Sequence, residues 1–571
     1  MIVGFYLRVY ELNIRPFGIE NDEAGGMVSV VKNFWVGQHP IYAYVSELSY
    51  KIFGLNRIGL RAQGVMIGMI TIPAMYFALR SVFNVRIAMV VTIIFTFLRW
   101  NLHYSRSGHG TILMIVAEAL AIYFILKAIQ KRDKLTYFMA GLTTGLCWYG
   151  LLTGWLVVIM PLAYFVAKEL TTKNFIKKNM IGIIVFALGF WVFASQHIHN
   201  FFISKNIYFK RIGEVSVFGQ VGLERQSNPA IGIVENTKNV LLMFNYIGDN
   251  RQRNSGGNPY EPTIDFVSSM FFAIGFIYSI YYSRYYLFFI LIMLFFSQAS
   301  GSIFSIEAPS AMRAIGTMIP VIFFIAITFD KIWIAIRRVV GMKLEKIIFP
   351  IIIAIPLFFI VKDNYNQYFK RWVGGLDELA TAAGMYSEKL GKTYRIYLYT
   401  SMYYPGHPPF RIFRWDYKVN CSANITDSIV NLSLIDDENY AIFFHSDTWE
   451  AENYWKNLIP GVQFDSMSHQ AFGKFIDVAL IKNEDIKKVR GLKGTYYYSD
   501  KTKEIIENDL PNFDIKKSSK IPYKVIWEGV ILIPYYSFSV FRNEGNTEPE
   551  VFIDNNKILF NKNYKLAKNF Q

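Results

Sequence analysis

Two adjacent carboxylates, Asp22 and Glu23, stand in the run "GIENDEAGG" between Gly18 and the pair Gly25-Gly26. A carboxylate at a membrane surface can take the proton from an attacking hydroxyl when its pKa is suitably placed, and a second one nearby can tune it or hold the substrate. The same residues also suit a helix start, because Asn21, Asp22 and Glu23 would cap the amphipathic stretch "AGGMVSVVKNFW". Taken alone, the pair reads as a cap before it reads as a catalyst, and both readings can hold at once.

Three more segments carry chemistry. "NLHYSRSGHG" (101–110) joins two apolar stretches and holds Arg106, whose guanidinium suits bidentate recognition of phosphate. The plainer alternative is an arginine snorkelling to the headgroups. "FNYIGDNRQRNSGGNPYEPTIDF" (244–266) leads Arg251 and Arg253 into an apolar stretch, with the Asn, Gly and Pro content of an ordered loop over a pocket or of an exposed linker. "SIEAPSAMRAIGTMIP" (305–320) sets Glu307 and Arg313 around Pro309. A proline near a helix start is expected on structural grounds, and the two charges can simply pair. No HExxH, Walker loop or CxxC occurs, and His103, His109, His197 and His199 do not form a metal-ligand pattern. No cofactor is expected, although a divalent metal is not excluded.

The elements that must position these groups are membrane spans. The chain has 571 residues, 53% of them hydrophobic, and a mean hydropathy of +0.25, too apolar for an ordinary soluble protein of this size. The net charge of +16 sits in short basic runs between apolar stretches, which argues for cytoplasmic loops and against nucleic acid as a partner. Stretches near the ~20-residue spanning length run over 58–83, 87–102, 111–129, 135–152, 155–167, 180–199, 264–282, 285–298, 314–333 and 347–361. Residues 1–12 look like the end of a further span whose start is missing, giving about 11 in all. A cleavable signal is not expected there, since Arg8 interrupts the apolar run. Arg80 and Arg86, the set Lys127 to Lys134, the set Lys168 to Lys178, Arg284, and the set Lys331 to Lys346 fall in alternate connections. With these inside, the Asp22 loop, the Arg106 turn, the 200–263 connection, the Glu307 turn and everything after Lys362 lie outside.

The tail changes pattern twice. Residues 364–390 read as an amphipathic helix, and "YRIYLYT", "YAIFFHS" and "FIDVALI" as buried strands separated by helical segments such as "ENYWKNL". From Gly491, short alternating strands, "GTYYYS", "YKVIWEGVILI", "YSFSVFR" and "EVFIDNNKILF", indicate an all-β module. The expected organisation is a polytopic α-helical membrane body over 1–362, an extracytoplasmic small α/β domain over 363–488, and a β module over 489–571. Cys147 and Cys421 lie in different regions and do not suggest a disulfide. Asn424 and Asn431 begin sequons in the outer domain.

In this order and on one membrane face, the "DE" pair, the "HYSR" turn, the "FNYIGDNRQRN" loop and "EAPSAMRAIG" resemble the GT-C superfamily of integral membrane glycosyltransferases, in its protein mannosyltransferase and aminoarabinose-transferase-like branch. The likeness covers about the first two thirds of the chain. It implies inverting transfer of a sugar from a polyprenyl-phosphate carrier to a protein, lipid or glycan acceptor on the outer side, generally without a metal. Asp22 would be the general base and Glu23 would assist in positioning. Arg106, Arg251 and Arg313 would neutralise the departing phosphate, and Tyr104, His109, Asn245, Asp249 and Glu307 would contact substrate. The WWD-type motif and DxD pair of oligosaccharyltransferases are lacking, which argues against transfer of a whole glycan to Asn.

The terminal module resembles a PA14 domain through "GLKGTYYYSD", "DLPNFD", "YKVIWEGVILIPYYSFSV" and "EVFIDNNKIL", around Trp527, Gly529 and Asp554. The adjacent Asp pair of calcium-dependent members is absent at "NEGNTEPE", and the chain stops at Gln571 before the family's last strands, as in a fragment. Two other classes fit a multi-span body with polar helix ends. One is a transporter or flippase of lipid-linked saccharides, which predicts inverted repeats that the sequence does not display. The other is a non-catalytic, membrane-anchored glycan-binding protein.

Overall fold

In the computed structural model the described residues are 1–24, 40–203, 210, 212–225, 228–251, 255–372, 378–399, 406–413, 419–422, 438–445, 455–456, 459, 461–469, 473–489, 491–509, 522–529, 550–553 and 556–558. Gly25-Gly26, the sequons at Asn424 and Asn431, Asp554, most of "ENYWKNL" and the strand expected at 536–542 lie outside them. The chain forms two compact units, Met1–Glu378 and Leu379–Gln571.

The first unit is helical. Its helices are α1 (Ile2–Val9), α2 (Pro40–Phe53), α3 (Arg57–Arg80), α4 (Val85–Phe97), α5 (Arg99–Arg106), α6 (Ile112–Lys131), α7 (Lys134–Leu146), α8 (Ile159–Thr171), α9 (Phe175–Ile203), α10 (Gln220–Arg225), α11 (Pro229–Leu242), α12 (Phe266–Tyr281), α13 (Tyr286–Ile303) and α14 (Met318–Asn366). Among the described residues six helical stretches are long and apolar enough to cross a membrane, or seven if the bent pair α4–α5 is one crossing. The shorter α12 is also apolar.

Local sequence explains the breaks. Asn56, Asn84, Asp133 and Asp265 each accept backbone N–H bonds at the start of α3, α4, α7 and α12, satisfying donors that a helix start leaves free. The α4–α5 pair bends by 58°. The bend frees the Arg99 amide, which donates to Asn364 Oδ1 at 2.8 Å, while Asn364 Nδ2 donates to Asp265 Oδ2 at 2.8 Å. One buried amide side chain thus joins α5, α12 and the end of α14.

The stretch Ile315–Arg371 is a helical hairpin and not one rod, because Gly341 takes a left-handed conformation (φ 77°) within α14. Trp333 Nε1 donates to Glu345 Oε1 at 2.5 Å, whereas twelve residues of straight helix would separate the two by about 18 Å. This matches the separate spans expected at 314–333 and 347–361. The helix expected over 364–390 is not continuous: its first residues complete α14 and a π-helical turn, Gln367–Arg371, and a new helix starts at Glu378. Close helix contacts depend on absent side chains. A Cβ at Gly145 of α7 would lie 2.6 Å from the Phe190 carbonyl oxygen of α9.

The second unit begins at Leu379, within the helix Glu378–Leu390, and continues into a mixed five-stranded sheet. Its strands are β1 (Tyr394–Tyr399), β2 (Val419–Ser422), β3 (Asn439–His445), β4 (Gln463–His469) and β5 (Gly473–Ile481), in the order β2-β1-β3-β5-β4. β1 is parallel to β2 and β3, and β5 is antiparallel to β3 and β4. Tyr397, Tyr440, Ile442, Phe444, Trp455 and Ala479 pack together against it. β6 (Leu492–Tyr497) then pairs antiparallel with β7 (Lys503–Asp509) and β8 (Lys524–Glu528), and β9 (Val551–Ile553) forms a hairpin with β10 (Asn556–Ile558). β4 and β7 were not legible as strands. Their sequences, "QFDSMSH" and "KEIIEND", carry charges that mask the apolar alternation.

Candidate active site

The capped start of α3 places Arg57 and Arg61, one turn apart, on the same side of the helix. Both guanidiniums hold the loop before the acidic pair. Arg57 donates to the carbonyl oxygens of Asn13 (2.8 Å) and Phe17. Arg61 donates to those of Leu12 and Gly18, both at 3.0 Å. Its third donor, Nε, meets Glu23 Oε1 at 3.2 Å, with 0% and 1% of the two side chains exposed. The same carboxylate oxygen accepts from the Gly108 amide at 2.8 Å, and Oε2 faces the Glu20 amide at 3.4 Å. Glu23 therefore does cap the turn 20–24, in the manner of a capping box. It also ties that turn to α3 and to the connection before α6.

Asp22, its neighbour, is exposed, and among the described residues nothing pairs with its carboxylate. The sequence offered two equivalent acids, which the fold distinguishes: one buried and bound, the other open.

Arg106 is buried at the end of α5 and donates to the carbonyl oxygens of Leu7 (2.6 Å) and Arg15 (3.1 Å). Its guanidinium stacks over Phe369 and Tyr368, at 5.1 and 5.6 Å from the ring centroids. Among the described residues its Nε has no hydrogen-bond partner. Arg8 is fully buried and donates through one nitrogen to the Gly4 carbonyl, and among the described residues its Nε and other terminal nitrogen have no hydrogen-bond partner. Tyr104 is buried between the rings of His103 (5.0 Å) and His109 (5.9 Å), and His103 Nε2 lies 3.8 Å from Glu20 Oε1.

A second cluster joins the other predicted loops at the same end of the helices, after α13 and before α12 and α14. Glu307 receives both Arg251 (2.8 Å to Oε2) and Arg313 (2.6 Å to Oε2), and Arg313 also donates to Ser305 Oγ. Hydrogen bonding to Glu307 raises the Arg251 pKa, holding that side chain cationic. Asp249 is buried and accepts from the amides of Arg251 (2.9 Å) and Ala311 (3.0 Å), locking the two loops together. Beside them is a polar cavity of about 420 Å³ lined by Asn239, Asn250, Arg251, Tyr260 and Glu307 among others. Asn245 is exposed just beyond α11, outside that lining. The clusters share a strut: Arg99 reaches Glu261 (3.7 Å) and the Pro262 carbonyl, and Tyr260 exchanges backbone bonds with Gly248 and Asp249 at 3.0 Å.

Arg57, Arg61 and Arg8 were missed as site residues. The signal was present as two arginines at i, i+4 opening an apolar helix and a third inside the first apolar run. Among the described residues no three His, Cys, Asp or Glu side chains are grouped as metal ligands.

Residues 38–199 match the sequence model of the family described as dolichyl-phosphate-mannose-protein mannosyltransferase. No curated protein sequence matches the chain. Among solved structures, the apo oligosaccharyltransferase of Archaeoglobus fulgidus is 13% identical over 92% of this chain and 74% of its own (TM-score 0.49). ArnT from Cupriavidus metallidurans, in the apo state, is 12% identical over 84% of this chain and 96% of its own (TM-score 0.45). AglB from Archaeoglobus fulgidus, in complex with an inhibitory peptide and a dolichol-phosphate, is 13% identical over 92% and 74% (TM-score 0.46). The resemblance of the membrane body to GT-C glycosyltransferases, read from short motifs, is met by the family match across α2 to α9. That match does not extend to the terminal β module.

Proposed function

We propose that this chain is an integral membrane glycosyltransferase that moves a sugar from a polyprenyl-phosphate carrier to an acceptor hydroxyl with inversion, Asp22 acting as general base. The acceptor oxygen bonds to the anomeric carbon as the bond from that carbon to the phosphate oxygen breaks. The polyprenyl phosphate leaves with the electron pair, and the acceptor proton passes to Asp22. The observation that carries this reading is the division of the acidic pair. Glu23 is fixed by Arg61 and Gly108, so it holds the turn, while Asp22 one residue earlier remains open to a substrate.

Charge supports the same reading. Arg8, Arg57, Arg61 and Arg106 are buried with two carboxylates, Glu20 and Glu23, so even with exposed Asp22 counted these residues leave a positive surplus suited to a departing phosphate. Arg251 and Arg313, on a shared carboxylate beside the 420 Å³ cavity, are the second candidate contact for an anionic group. Tyr104, His109, Asn245, Asp249 and Glu307 are the residues proposed to shape the substrate site. The family description makes a protein hydroxyl the first acceptor to try. Arg80, Lys131, Lys168 and Arg284, at the opposite helix ends, favour an extracytoplasmic site.

The test is transfer by purified protein from a polyprenyl-phosphate-linked sugar, with the anomeric configuration of the product read by NMR. Asp22→Asn is expected to lose about 10²- to 10⁴-fold in kcat. Undiminished turnover in that variant refutes the base assignment, and retained configuration refutes the inverting step.

A further inference from the structure

A cavity of about 980 Å³ in the membrane body lies far from the acidic pair. Its wall includes Ser81 to Asn84, just past the end of α3, whereas Glu23 is bound by Arg61 near the start of that helix. Twenty helical residues span about 30 Å, the thickness of a bilayer's hydrocarbon core. The cavity therefore opens at the opposite membrane face, whichever side is outside.

Its lining is built for a molecule with an apolar body and a charged end. All lining residues but Ser81, Asn84, Gln130, Asp330 and Lys331 are apolar or aromatic. The volume stands at the top of the ~300–1,000 Å³ range of small-molecule sites. Tyrosines of the wall carry cations over their rings. Lys168 Nζ lies 5.2 Å from the Tyr286 ring and 5.8 Å from that of Tyr164, Lys331 Nζ 5.2 Å from Tyr278, and the Arg284 guanidinium 5.1 Å from Tyr285. Asp330 is the one carboxylate in the lining and lies 3.6 Å from Lys331, so the rim keeps a positive surplus. Tyrosine with Lys or Arg at headgroup depth, above an apolar cleft at hydrocarbon depth, is the chemistry that receives an anionic lipid.

We propose that this cavity binds an anionic phospholipid of the adjacent leaflet, its acyl chains among Leu126, Leu291 and Phe323 and its phosphate at Lys331, Lys168 and Arg284. The test is native mass spectrometry of the purified full chain, titrated with phosphatidylglycerol or phosphatidylcholine in mixed micelles. Phosphatidylglycerol is expected to be retained preferentially, with about fivefold weaker retention for each of Lys331→Gln, Lys168→Gln and Arg284→Gln. The corresponding Lys→Arg variants should keep it. Leu126→Trp, which narrows the cleft and leaves the cations, should lose it as well. Equal retention of the two lipids, unchanged retention in the triple Gln variant, or indifference to Leu126→Trp each overturns the proposal. So does equal competition by soluble glycerol phosphate, which would make the site one for a free anion.

Discussion

Glu23 offers the sharpest separation of structure from chemistry. Glu23→Gln keeps the shape and removes the charge. Its remaining oxygen can serve Arg61 Nε and the Gly108 amide, while the new NH₂ faces the Glu20 amide, donor against donor. Arg61 retains the Leu12 and Gly18 carbonyls but loses the one carboxylate it pairs with among the described residues. Removing one partner of a buried pair costs about 3–5 kcal/mol, the range expected for Glu23→Ala. The retained bonds place Glu23→Gln near ~2–3 kcal/mol. The assay is unfolding in mixed micelles against SDS mole fraction, followed by tryptophan fluorescence, on Glu23→Ala, Arg61→Ala and the double variant. A direct tether predicts a coupling energy above about 1.5 kcal/mol, whereas additivity within about 0.5 kcal/mol refutes it. Asp22→Asn, at an exposed and unpaired carboxylate, should stay within about 0.5 kcal/mol of the parent while losing turnover. If it destabilised as much as Glu23→Gln, the division of roles between the two acids would be wrong.

Three further outcomes follow from the same geometry. Gly108→Ala sets a Cβ 2.7 Å from the Leu60 carbonyl oxygen and 3.0 Å from Glu23 Cγ, so stability should fall by about 1–3 kcal/mol; an unchanged melting temperature would show that the turn can move aside. Asn364→Leu orphans the Arg99 amide and one Asp265 oxygen together, at a cost of roughly 2–4 kcal/mol, and thermal unfolding that leaves the variant level with the parent refutes the three-helix tie. Burial pushes the Glu378 carboxyl up to about 8, whereas in the unfolded chain it ionises near 4.5. Between those values the folded state binds more protons, so this contribution to stability is full below pH 4.5, declines as pH rises and is lost above 8. Melting curves of Glu378→Gln should show a weaker decline across that window than the parent, and superimposable pH profiles would contradict it.

Most apolar helices were legible because an apolar run near twenty residues has few alternatives, and Gly341 lies between two of the expected spans, but against about 11 expected only six or seven stretches among the described residues are long and apolar enough to cross. The pairing of Glu307 with Arg313 was also legible, since two opposite charges around one helix start can meet, whereas the joining of Arg251 and Asp249 to them was not. What the sequence hid was which acid is anchored. Asp22 and Glu23 differ by about 100° around a helix turn, and only the position of Arg61 and Gly108 decides which of them turns inward. Asn364 was hidden for another reason: a polar residue near the end of a span reads as interfacial, and its two partners are 265 and 99 residues away.

Arg106 shows where residue-type reasoning needs the third dimension. An arginine at that depth must be paired or face a polar cavity, and a phosphate was the partner its fork suggested. Two of its donors instead meet the Leu7 and Arg15 carbonyls, and two aromatic rings lie under its face. Arg57 does the same with Asn13 and Phe17, and Arg61 with Leu12 and Gly18. Carbonyl partners satisfy hydrogen bonds but leave the charge uncancelled. Arginines that stitch residues 7–18 to the helices therefore also set the electrostatic potential at the turn that carries Asp22, and in a medium of low dielectric that potential reaches past the first layer of contacts. A structural and an electrostatic role are then two consequences of one arrangement, which is why substitution of Arg106 or Arg61 alone cannot separate them and the Asp22 and Glu23 variants can.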